Sequence, residues 1–119
     1  MPVPHAFVVD DEEIVRNSLG RLLRAIGIPS TGYPSAEAFL DACRGDEPGC
    51  LIVDIRMPGM SGLDLLELLQ TRGSTMPAIV ITGHTDEGSL ERLKRLSAVG
   101  LLEKPFSLAQ LKEMLARCG

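Results

Sequence analysis

The sequence predicts an α/β fold, a doubly wound five-stranded parallel sheet with helices on both faces. Three observations lead there. Apolar runs of strand length alternate with stretches of helical period, the pattern of a parallel sheet with crossover helices. The runs are continuously apolar, as strands buried on both faces are. The chain has 119 residues, 45% hydrophobic and 24% charged, enough for one core with little room for a second.

Ala6 to Val9 is the first predicted strand. Val15, Leu19, Leu22, Leu23 and Ile26 then recur at helical spacing, with Arg16, Arg21 and Arg24 elsewhere on the wheel and Gly27 as the stop. Ile28 to Tyr33 is assigned to the second strand because the alternation requires one there, although Pro29 and Gly32 interrupt it. Ser35 precedes a short helix through Ala36, Phe39 and Leu40. Leu51 to Val53, Ala78 to Ile81 and Val99 to Leu102 are the remaining strands. Ser61 with Asp64, and Ser107 with Gln110, are N-cap pairs that start the third and last helices. Those helices are expected to bury Leu63, Leu66 and Leu69, then Leu108, Leu111 and Leu115. The fourth helix uses Leu90, Leu93 and Leu96, with Arg92, Lys94 and Arg95 among them.

Twelve Lys and Arg against sixteen Asp and Glu give a net charge of -4, so no nucleic acid is expected to bind through these residues. Cys43, Cys50 and Cys118 lack C-x-x-C spacing and a nearby histidine, and are read as reduced, partly buried thiols. The start shows no signal-peptide pattern, and no run of about 18 apolar residues could span a membrane. The expected setting is the cytoplasm.

In such a sheet the crevice beyond the carboxyl ends of the strands is the default site. Asp10, Asp11, Glu12 and Glu13 follow the first strand, Asp54 ends the third, Thr82 ends the fourth, and Lys104 follows the fifth. Each has an ordinary explanation alone: Asp10 or Asp11 with Glu13 as a helix cap, Thr82 as a strand end, Lys104 as a surface charge. Together they fit those explanations poorly, because gathered carboxylates oppose one another's ionisation. A divalent cation held by oxygens relieves that, and Mg2+ suits such a set. Mg2+ among carboxylates commonly serves a phosphate, whose oxygens Lys104 and Thr82 could also meet. No G-x-x-x-x-G-K-[ST] or G-x-G-x-x-G motif occurs, which excludes a nucleotide cradle. A carboxylate of the chain itself is then the available nucleophile.

Four stretches carry a family resemblance: Val8-Val9-Asp10-Asp11-Glu12, Leu51-Ile52-Val53-Asp54-Ile55-Arg56-Met57-Pro58-Gly59-Met60-Ser61-Gly62, Ile79-Val80-Ile81-Thr82-Gly83-His84 and Leu102-Glu103-Lys104-Pro105-Phe106. In that order and spacing the chain, from about residue 6 to residue 118, resembles the receiver domain of a two-component response regulator. The wording D-I-R-M-P-G-M-S-G followed by I-T-G-H is similar to receivers of the nitrogen-fixation FixJ type, whose full-length members usually continue into a helix-turn-helix DNA-binding domain. The resemblance implies the flavodoxin-like receiver fold with strand order 2-1-3-4-5, and a single receiver domain over residues 1–119 with no output domain. It implies that Asp54 accepts a phosphoryl group from a histidine kinase or phosphotransfer protein. Asp10, Asp11, Asp54 and the backbone carbonyl of Arg56 would hold Mg2+, and Thr82 and Lys104 would contact phosphoryl oxygens. Lys104-Pro105 would be cis. Arg56 and His84 would flank the path of the water that hydrolyses the aspartyl phosphate. The module would thus be a switch that catalyses its own phosphorylation and dephosphorylation, not a conventional enzyme. Output would pass through the face from the fourth helix to the fifth, where a homodimer could also form.

One position departs from the family pattern. The aromatic residue three places before the lysine is here Leu101, and the stretch Leu96-Ser97-Ala98-Val99-Gly100 is also atypical. Leu101 leaves open a second function, an interaction module that keeps the fold but signals without phosphorylation. A haloacid-dehalogenase-like phosphatase would need an acid where Arg56 stands. A flavodoxin-like electron carrier would need a phosphate loop where Asp10 to Glu13 would repel the phosphate.

Overall fold

The computed structural model describes residues 3–83, 87–96 and 98–118. Among them five strands alternate with five helices: β1 (Ala6–Val9), α1 (Glu13–Ala25), β2 (Ser30–Tyr33), α2 (Ala36–Ala42), β3 (Cys50–Asp54), α3 (Gly62–Thr71), β4 (Ala78–Thr82), α4 (Glu87–Lys94), β5 (Ala98–Glu103) and α5 (Leu108–Cys118). The strands form one parallel sheet in the order β2-β1-β3-β4-β5, the predicted order.

Alternate residues of each buried strand feed two separate cores. Phe7, Val9, Leu51, Val53 and Val80 meet Phe39 of α2 and Leu63, Leu66 and Leu69 of α3 on one face. Ala6, Val8, Cys50, Ile52, Ile79 and Ile81 meet Leu19 and Leu23 of α1 and Leu111 and Leu115 of α5 on the other. Because β1, β3 and β4 are apolar on both sides, the period-2 signal is erased and the runs read as continuous.

The predicted caps form. Ser61 and Asp64 make a reciprocal capping box at α3, with both hydrogen bonds 3.1 Å long. The Ser107 amide donates to the Gln110 side chain at 2.8 Å, and the Gln110 amide donates to the Ser107 hydroxyl at 3.1 Å. Ser35 Oγ accepts from the Ala38 amide at 3.0 Å.

Three expectations are corrected. The second strand begins at Ser30, not Ile28; Pro29 has no N–H for a ladder, and only its carbonyl pairs, accepting from the Ala6 amide at 2.9 Å. Leu108, expected in the core, is 37% exposed because it opens the first turn of α5, ahead of the buried Leu111. In α4 no residue is buried: Leu90 is 39% exposed and Leu93 is only partly covered, while Leu96 lies beyond the helix end. The helix is tied to α3 through Arg92, which pairs with Asp64 and Glu67. No described helix is long and apolar enough to cross a membrane.

Candidate functional site

Parallel pairing brings the carboxyl ends of β1, β3, β4 and β5 to one edge. Val9 is paired with Val53, so the next residues, Asp10 and Asp54, are neighbours across the sheet. Asp54 is in register with Ile81 and Thr82 with Glu103, which sets Thr82 and Lys104 along the same edge. The Lys104 amide donates to the Thr82 carbonyl at 2.8 Å. Asp10, Asp54 and Thr82 are the buried polar residues there, at 1%, 5% and 0% exposure. The Lys104-Pro105 bond is cis, as the resemblance implies.

Backbone amides aim the two buried carboxylates. Asp10 Oδ1 accepts from the Glu12 amide at 2.9 Å, and Asp54 Oδ1 accepts from the Arg56 amide at 3.1 Å. Each Oδ2 is left toward Lys104, whose Nζ lies 3.2 Å from that of Asp54 and 3.6 Å from that of Asp10. Glu12 Oε1 stands 3.8 Å from the same amine. Arg16 Nη1 donates to the Asp10 carbonyl at 2.7 Å and ties the end of β1 to α1. The helix-cap explanation of Asp10 and Asp11 fails: α1 starts at Glu13, its N-cap is Glu12, and no side chain caps it.

The loop after Asp54 is held from beneath. A side chain at Gly62 would overlap the carbonyl oxygen of Asp54, so only glycine lets α3 start this close to β3. The Gly62 amide donates to the Ile55 carbonyl at 3.0 Å. Gly59, at φ 75°, makes the turn between them.

Charge is unbalanced at this edge. Carboxylate oxygens of Asp10, Asp11, Glu12 and Asp54 all lie within 4.8 Å of one another, and the amine of Lys104 stands near three of them. Burial, helped by the charges of Asp54 and Asp11, pushes the Asp10 carboxyl up to about 6, against the Glu12 amide and Lys104, which act to lower it. Burial acts to lower the Lys104 amine, but Asp54 and Asp10 outweigh it and hold the amine above the ordinary lysine value. Asp10 Oδ2 is buried with no hydrogen-bond partner. An all-oxygen cluster with excess negative charge and one buried unsatisfied oxygen fits a hard divalent cation such as Mg2+.

Asp10, Asp11, Asp54, Thr82 and Lys104 are thus gathered at one edge. Arg56 enters through its main chain, by the amide bond to Asp54, and the residue itself is exposed. His84 lies outside the described residues. Glu12, absent from the predicted ligand set, joins the cluster; its place in the acidic run after β1 was the available signal. Leu101 is partly buried against the core shared with α2 and α3.

The family model described as response regulator receiver domain matches residues 6–116. The transcriptional regulatory protein FixJ of Azorhizobium caulinodans is 46% identical over 104 residues, covering 87% of this chain and 49% of that protein. Its namesake from Bradyrhizobium diazoefficiens is 40% identical over 111 residues, covering 93% and 54%. The chain spans about half the length of these curated relatives. The crystal structure of FixJ-N superposes with a TM-score of 0.89 at 39% identity, covering 99% of this chain and 94% of that one. Chemotaxis protein CheY4 of Vibrio cholerae, at 22% identity and a TM-score of 0.88 over 98% of this chain and 99% of that one, shares the fold.

Proposed function

The chain belongs to the response regulator receiver domains of two-component signalling, and on that premise we propose that Asp54 accepts a phosphoryl group from a histidine kinase or phosphotransfer protein in a Mg2+-dependent reaction. The observation that carries this reading is the placement of Lys104, with its amine 3.2 Å and 3.6 Å from two buried carboxylates, one of which keeps an unsatisfied oxygen. Asp10, Asp11 and Asp54, with the main-chain carbonyl of Arg56, would hold the cation. Bound Mg2+ supplies positive charge that lets an anionic phosphoryl group approach an acidic site.

The rest is done by the chain itself. An Asp54 carboxylate oxygen forms the new O–P bond as the P–N bond of a phosphohistidine breaks, its electron pair returning to the imidazole. Charge gathers on the equatorial phosphoryl oxygens, where the Lys104 amine and the Thr82 hydroxyl would stabilise it. In the separate reset step a water oxygen bonds phosphorus, the bond to Asp54 breaks, and inorganic phosphate leaves with the carboxylate restored. Arg56 flanks that route and tunes the lifetime of the adduct. Residues 1–119 act as one receiver domain, with output or self-association through the α4–β5–α5 face.

Mass measurement after exposure to acetyl phosphate tests the proposal. One acid-labile PO3 adduct is expected with Mg2+, none in its absence, and none in Asp54→Asn. An unmodified wild-type protein under all conditions overturns the reading and leaves the phosphorylation-independent interaction module, the alternative raised by Leu101.

A further inference from the structure

At the opposite end of β3 from Asp54, two thiols 68 residues apart in sequence meet: Cys50 Sγ lies 2.9 Å from Cys118 Sγ. Cys50 opens β3 and is fully buried in the core shared with α1 and α5. Cys118 ends α5, is packed against that core and remains partly accessible. Cys43, the third thiol, is buried in the other core, across the sheet, with the Tyr33 hydroxyl 3.3 Å away. A disulfide has sulfurs about 2.05 Å apart, so closing this pair needs a shift of under about 1 Å.

We propose that Cys50 and Cys118 form a redox modification site, oxidised by hydroperoxides to a disulfide that pins the last turn of α5 to the start of β3. The two thiols divide the work. The contact with Cys50 lowers the Cys118 thiol below its ordinary value, while the same contact and burial push Cys50 up. Cys118, the accessible and more acidic partner, is therefore the attacking sulfur. Its thiolate bonds one oxygen of hydrogen peroxide as the O–O bond breaks, giving a sulfenic acid and a hydroxide that takes up the proton Cys118 had released and leaves as water. Cys50 sulfur then bonds the Cys118 sulfur, the S–O bond breaks, and the departing hydroxide takes the Cys50 proton as a second water. Two thiols are oxidised and one hydroperoxide is reduced. A thiol reductant reverses the step by exchange.

The test needs no phosphoryl donor and no divalent cation, so its outcome is separate from that of the Asp54 proposal. The whole chain is treated with hydrogen peroxide, unfolded, alkylated with N-ethylmaleimide and mapped by mass. The expected product is a monomer that has lost two hydrogens, carries one alkyl group at Cys43, and yields a peptide joining residues 50 and 118. Cys43→Ser keeps the link and Cys118→Ser loses it. Oxidation raises the thermal midpoint of the wild type, and reductant restores it. Three alkylated thiols, a link through Cys43, a disulfide between chains, or over-oxidised Cys118 without a link overturns the proposal. So does a linked product whose midpoint is unchanged.

Discussion

Asp10 is the residue on which local forces conflict most. Its carboxylate is 1% exposed, stands beside Asp54, and has one oxygen without a hydrogen bond. Lys104 offsets part of that cost at 3.6 Å, but the same amine also serves Asp54 and Glu12. Removing a buried, incompletely paired charge is therefore stabilising when no cation is present. Asp10→Asn is expected to raise stability in chelator-treated buffer by on the order of 1 kcal/mol. The same variant should lose most of the midpoint increase that Mg2+ produces in the wild type. Thermal melts with and without Mg2+ check both effects, and a variant less stable in chelator contradicts the argument. The chemistry at this residue was legible because an acidic run stops a strand. Which oxygen stays unsatisfied was not, since that depends on the Glu12 amide and on a lysine from the far end of the chain.

At the scale of elements, α3 and α4 are joined by charge more than by apolar packing. Arg92 Nη2 lies 2.7 Å from Asp64 Oδ1, and its Nε donates to Glu67 Oε1 at 2.8 Å. The Arg92 guanidinium, together with the Ser61 amide and hydroxyl, holds the Asp64 carboxyl below its ordinary value. A group depressed on folding contributes stability above its unfolded pKa, near 4, and loses it as pH falls through the lower folded value. Both partners are half exposed, so solvent screens the pair. Arg92→Ala is thus expected to cost less than about 1 kcal/mol at pH 7, with the difference shrinking as pH drops below about 4. Urea melts of both proteins across that range check it; a penalty that grows in acid contradicts the assignment. Helix α4 also shows where sequence patterning misleads. Leu90, Leu93 and Leu96 keep helical spacing, yet Leu90 is exposed and Leu93 and Leu96 are only partly covered. Strand β2 shows the opposite case: its Ser-Thr-Gly-Tyr run looks unlike a buried strand because it is an edge strand with β1 on one side only. The capping box at Ser61 was readable because both of its bonds close within four residues.

For the whole molecule, the acidic site exists only when the sheet is assembled, since Asp10, Asp54, Thr82 and Lys104 hang from four different strands. The unfolded chain has no such cluster, so a cation that binds it binds the native state alone. Once Mg2+ exceeds its dissociation constant, each tenfold rise should add about 1.4 kcal/mol to unfolding free energy. Denaturant titrations at stepped Mg2+ check this, and a flat response shows that the ion does not distinguish folded from unfolded chain. Strand alternation and the edge residues made the architecture readable, because those signals are local and repeat. The meeting of Cys50 and Cys118 had no local signal at all: it follows from how α5 lies across the sheet. Strand β3 carries Asp54 at one end and Cys50 at the other. At about 3.3 Å per residue those ends stand roughly 13 Å apart. The phosphate mark would be read through a face that includes α5, the helix a sulfur bridge would clamp at the other pole, so one short rod would carry two marks with a shared reader.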